Sequence, residues 1–81
     1  MPRVVLPRSL AEHTGGELEL ELPGADVRAL IAALDARFPG LADAIEGRMA
    51  VAIDGEIVGD PLLESVEPGS EVHFLPRLGG G

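Results

Sequence analysis

Between Leu22 and Val27 the hydrophobic period of the chain changes from two residues to about 3.6, so a strand must hand over directly to a helix. Residues 17–22 alternate strictly, placing Leu18, Leu20 and Leu22 on one face of a half-buried strand. Glu17, Glu19 and Glu21 form a solvated stripe on the other face, with no further oxygen donors in the pattern to make it a cation site. Pro23 and Gly24 break the strand, and Asp26 stands where an N-cap carboxylate would accept from the first-turn amides. Val27, Leu30, Ile31, Leu34 and Phe38 then fall on a single helical face. Ala29, Ala32, Ala33 and Ala36 favour the helix and allow it to pack closely on a sheet. Phe38, Pro39 and Gly40 end it, and a further turn is predicted over residues 41–45.

The remaining segments supply strands to cover that helix. Residues 3–6 are a β-branched run closed by Pro7, and residues 7–16, with His13, Gly15 and Gly16, read as a turn-rich link. Residues 49–53, Asp54-Gly55 and residues 56–58 have the form of a hairpin, because Asp-Gly supplies the positive φ angles of a tight primed turn. Leu62 and Leu63, after Pro61, are expected to plug the sheet end, and residues 68–70 turn the chain into a last strand over residues 71–75. There Val72 and Phe74 point one way, Glu71, His73 and Leu75 the other, and a rigid Pro76 follows. The order β-β-α-β-β-β predicts an α+β fold with one main helix across a small mixed sheet. It fills a single domain, residues 1–81, with residues 76–81 as a flexible C-terminal tail.

Composition narrows what such a domain can do. There is no cysteine, so no disulfide, thiolate metal site or thiol nucleophile is available, and an aliphatic core must hold 81 residues together. The net charge of −8 argues against nucleic acid and suits docking on a basic protein surface. All six cations are arginine, so no lysine side chain can receive an isopeptide bond. No segment is long and apolar enough to span a bilayer, no signal peptide precedes the first strand, and a soluble cytoplasmic protein is expected.

Catalytic constellations are missing from the pattern. His13 reads as a turn residue and His73 as a solvent-facing strand residue available for partner contact, while Ser9, Ser65 and Ser70 have no nucleophile-elbow context. Gly79, Gly80 and Gly81 are not a phosphate-binding loop, which needs a following lysine and helix. They allow a terminus to lie extended in a channel too narrow for any side chain. The chemistry then resides in the terminal carboxylate. Being a poor electrophile, it needs activation as a mixed anhydride, for instance with AMP, by a separate ATP-using enzyme.

Two stretches carry a family resemblance. Residues 51–56, Val-Ala-Ile-Asp-Gly-Glu, run on to Leu63, and residues 67–81 read Glu-Pro-Gly-Ser-Glu-Val-His-Phe-Leu-Pro-Arg-Leu-Gly-Gly-Gly. With the helix between the strands, the chain resembles the ubiquitin-like sulfur carriers. These include the small subunit of molybdopterin synthase (MoaD), the thiamine-pathway carrier (ThiS) and the carrier used for cysteine synthesis (CysO). Residues 6–16 and 34–40 are most similar to the cysteine-pathway branch.

The resemblance implies a β-grasp in which the last strand is central and pairs in parallel with the first. It also implies that the chain is a protein co-substrate, not an enzyme, and binds no cofactor or metal. An E1-like adenylating enzyme would use ATP to activate Gly81, and a sulfur donor would convert the adenylate to a thiocarboxylate. A sulfur-accepting synthase or large subunit would then take the sulfur. Gly80 and Gly79 would provide access, and Leu78 and Arg77 would anchor the entrance. Alternative roles are the small subunit of molybdopterin synthase with its tail inserted in the large subunit, and a ubiquitin-like modifier or interaction domain. Gly79 replaces the family's usual Ala, Ser or Thr, Arg77 stands where Pro or a small residue is common, and Asp54 replaces a frequent Asn.

Overall fold

The last strand in the sequence lies in the middle of the sheet. In the computed structural model, which describes residues 1–77, strand β1 (Arg3–Val5) leads into a 3-10 turn (Arg8–Leu10) and a short helix α1 (Ala11–Thr14). Strand β2 (Glu19–Glu21), the main helix α2 (Val27–Arg37) and helix α3 (Leu41–Ile45) follow. The chain then forms the hairpin β3 (Met49–Ile53) and β4 (Glu56–Ile57), a second 3-10 turn (Pro61–Leu63) and strand β5 (Glu71–Pro76). The sheet order is β2-β1-β5-β3-β4, with β5 parallel to β1 and antiparallel to β3. This is the mixed-sheet α+β architecture that the order of elements predicts, and the central last strand, parallel to the first, is what the family resemblance implies.

The local signals explain most boundaries. Asp26 caps α2, its side chain accepting from the Ala29 amide at 2.8 Å, a contact worth about 1 kcal/mol. Asp35 then reaches past the end of its own helix to accept from the amides of Gly40 (3.1 Å) and Ala42 (3.0 Å), seating the first turn of α3. Asp54 (φ 51°) and Gly55 (φ 88°) both adopt the left-handed conformation that the tight turn between β3 and β4 requires.

The core lies between α2 and one face of the sheet. Val27, Leu30, Ile31 and Leu34 of α2 pack with Val4, Leu20, Val51, Val72 and Phe74 of the strands, and Leu10, Leu41 and Ile45 close the edges. Each fully buried aliphatic or Phe side chain contributes about 1.5–3 kcal/mol relative to exposure, which is how a chain without cross-links stays folded.

Four expectations need correction. The link over residues 7–16 is helical, not merely turns: Leu10 and Thr14 lie one helical turn apart, both buried, and Gly15 (φ 65°) terminates α1. Only Leu62 packs against the core, whereas Leu63 points outward at 71 % exposure, because a single 3-10 turn cannot aim two consecutive side chains inward. Residues 17–22 contribute only Glu19–Glu21 as strand, with the pairing continued at either side by Leu6 N–H to Leu18 O (2.7 Å) and Leu22 N–H to Pro2 O (3.2 Å). Pro76 belongs to β5, in register with Met49, and the ladder ends there because the next amide on β3's side, that of Arg48, donates instead to the Ile45 carbonyl at 3.1 Å.

Candidate docking face and tail base

The face of the sheet turned away from α2 carries an apolar strip that the register assembles from four strands. Val5, His73, Ala52 and Ile57 stand in one row across β1, β5, β3 and β4. Leu75 and Ala50 form the next row, nearer the end of β5. Val5, Ala50, His73 and Leu75 are half-buried, Ala52 is buried and Ile57 is 69 % exposed. The alanines keep the strip low between larger neighbours, a surface suited to a broad protein contact rather than a small ligand.

A chain of charged groups frames the strip on the β2 side. Arg3 bonds Glu19 across the β1–β2 pair and lies 3.8 Å from Glu71 on β5. The hydrogen bond and charge of Glu19, with smaller help from Glu71 and Glu21, raise the guanidinium above its ordinary value. Glu71 in turn bonds His73 Nε2 at 2.9 Å. The histidine thus lies on the solvent-facing side of the sheet, as the alternation predicts, and is held there, half-buried, by a carboxylate. His13 is exposed on α1, a separate element, so the two histidines do not form a pair. Among the described residues no group of three His, Cys, Asp or Glu side chains could hold a metal ion, and no helix is long and apolar enough to cross a membrane.

The backbone of β5 leads directly to the terminus. Arg77 is exposed and follows Pro76 without further pairing, at the C-terminal end of the central strand. The proposed attachment and access residues Gly81, Gly80 and Gly79, and the second entrance residue Leu78, lie outside the described residues. Sequence reasoning does not pick out this apolar strip. Its signal was present as apolar residues in both phases of the alternation, Val4 beside Val5 and Phe74 beside Leu75, which marks strands with contacts on two faces.

Comparison with known proteins gives a consistent result. The chain matches the ThiS family over residues 4–81. No curated protein gives a sequence match. Among solved structures, a chain of the Amycolatopsis orientalis BexX/CysO complex is 29 % identical, with 100 % of both chains covered and a TM-score of 0.86. The small archaeal modifier protein 1 of Methanosarcina acetivorans is 25 % identical over 99 % of this chain and 95 % of that one, with a TM-score of 0.82. Mycobacterium tuberculosis CysO shares the fold at a TM-score of 0.87, with 21 % identity over 96 % of this chain and 100 % of that one.

Proposed function

The chain belongs to the ThiS family, and from that premise we propose that it carries sulfur as a thiocarboxylate on Gly81. The observation that carries the reading is the family match itself, which runs unbroken to the terminal glycine. In the proposed cycle a Gly81 carboxylate oxygen attacks the α-phosphate of ATP within an E1-like enzyme, and pyrophosphate leaves. A sulfur nucleophile then attacks the acyl carbon and AMP departs. Where that nucleophile is a donor persulfide, a thiol of the donor enzyme then attacks the donor sulfur of the acyl disulfide, forming a disulfide and releasing the thiocarboxylate. ATP is bound and consumed by the partner, and this chain acts as co-substrate in the cytoplasm.

The fold supports this division of labour. The central strand β5 is held on both sides, so the terminus leaves from the most firmly tied part of the sheet. The apolar strip of Val5, Ala50, Ala52, Ile57 and Leu75 supplies the grip for the activating enzyme, with Arg77 and Leu78 at its entrance and Gly79 and Gly80 threading the channel. Similarity over its full length to a chain of a CysO-containing complex favours the cysteine-pathway type of carrier. A second reading, conjugation of Gly81 to a target amine, is favoured by the likeness to an archaeal modifier protein.

Intact-mass spectrometry after incubation with the cognate activating enzyme, ATP and a sulfur donor tests the proposal. An oxygen-to-sulfur mass gain localised to Gly81 is expected. An unchanged mass with every activating enzyme of the host refutes it. Recovery of the whole chain joined to a target lysine, without any sulfur-bearing species, selects the modifier reading.

A further inference from the structure

The charge on this acidic chain is distributed unevenly along the sheet axis. At the pole where β1 and β5 begin and β3 ends stand Glu21, Asp26, Asp54, Glu64, Glu67 and Glu71, with Arg3 already engaged by Glu19 and Glu71. The opposite pole, where β5 ends, collects arginines from three separate chain segments. Arg77 follows β5, Arg48 immediately precedes β3, and Arg8 opens the turn after β1. Antiparallel pairing of Met49 with Pro76 puts Arg48 opposite Arg77, one step past the last pair. All three are exposed, and among the described residues none of them has a carboxylate within salt-bridge distance.

Folding alone does not account for this arrangement. Like charges opposite one another at the end of a ladder destabilise it. Carboxylates are present at this pole, but Glu17 is taken by Arg37 at 3.1 Å, and neither Glu12 nor Glu46 forms a salt bridge with an arginine of the cluster. We propose that Arg8, Arg48 and Arg77 form a basic collar around the root of the tail that docks on an acidic rim at the mouth of the activating enzyme's channel.

The inference rests on the carrier reading and adds the residues that aim it. Three arginines without salt-bridge partners at one pole, and carboxylates gathered at the other, orient the approach: an acidic rim attracts the collar and repels the far pole, so the terminus arrives first. The apolar strip then closes the contact beside the collar. No such aim follows from net charge alone, which would send an acidic protein away from an acidic rim.

The test measures binding of the full chain to its cognate activating enzyme, without ATP, over a range of salt concentrations. Replacing the three arginines together, Arg8→Gln with Arg48→Gln and Arg77→Gln, is expected to weaken binding about tenfold at low salt, chiefly through slower association, and to flatten the salt dependence. The triple Arg→Lys variant should retain most of the wild-type association rate. Equal affinity and equal salt slope for the wild type and the triple Gln variant, with the wild type gaining sulfur normally, overturns the collar and leaves the carrier reading standing. A defect that emerges only when ATP is bound also overturns it, because the arginines would then meet nucleotide phosphates. A wild type that neither binds nor gains sulfur overturns both. Unchanged thermal unfolding of the variants establishes that the fold is intact.

Discussion

Asp54 and Glu71 exchange two hydrogen bonds, Asp54 N–H to the Glu71 carbonyl at 2.9 Å and Glu71 N–H to Asp54 Oδ1 at 2.9 Å. The turn of the hairpin is thus fastened to the first residue of β5, far along the sequence. The Glu71 amide, and then the Ser70 hydroxyl, hold the Asp54 carboxyl below its ordinary value of 3.8.

This fastening predicts an acid-dependent part of the stability. On acidification the unfolded chain takes up the Asp54 proton before the folded one does. The contribution is therefore complete above the ordinary value of 3.8 and is lost as pH falls through the lower folded-state value. Asp54→Asn keeps the turn, since Asn tolerates positive φ, but removes the titration. Urea denaturation between about pH 7 and pH 2 should show the wild type losing stability more steeply than Asp54→Asn below about pH 4. Parallel curves for the two proteins would show that the carboxylate's bonds contribute nothing.

Phe74 sets how much of the fold depends on the central strand. It is 1 % exposed and sits beside Val51 in register, at the middle of the core. Phe74→Ala is expected to cost about 3–5 kcal/mol, and Phe74→Leu about 1–1.5 kcal/mol. A domain of this size has only about 5–10 kcal/mol in total, so circular dichroism should find the Ala variant largely unfolded on mild warming. A Phe74→Ala protein with the wild-type denaturation midpoint would contradict the core described above.

How far the sequence could be read depends on how local each cause is. Asp26, the spacing of Val27 to Leu34 and the Asp54-Gly55 turn act over a few residues, and each placed its element correctly. The apolar strip is different, because its row of Val5, His73, Ala52 and Ile57 exists only once a strand order set by long-range pairing brings four strands together. The failure at Leu63 has a comparable origin, since Leu62 and Leu63 are equally apolar and only the orientation of the 3-10 turn decides which is buried.

Gly24 is required by its neighbour rather than by its own backbone. A Cβ there would approach Leu30 Cδ2 to 2.9 Å and the Leu30 amide nitrogen to 3.2 Å, and Leu30 is completely buried. Gly24→Ala is therefore expected to destabilise by about 1–3 kcal/mol through overpacking at the start of α2. Combining it with Leu30→Val should cost less than the sum of the two single changes, because the shorter side chain vacates the colliding position. Strict additivity in denaturant titrations would place the cause elsewhere.

Ile57 separates the apolar grip from the electrostatic aim. At 69 % exposure on the short edge strand β4 it contributes little to the core, so Ile57→Ser and Ile57→Arg should each shift stability by no more than about 0.5 kcal/mol. If the strip carries the contact with the activating enzyme, both variants lose affinity to a similar degree, about tenfold or more, because each removes the same buried apolar area. The loss should fall mainly on dissociation, in contrast to the association defect expected from the arginine collar. Surface plasmon resonance resolves the two rates. Wild-type dissociation rates for both variants would exclude the open face of the sheet as the docking surface.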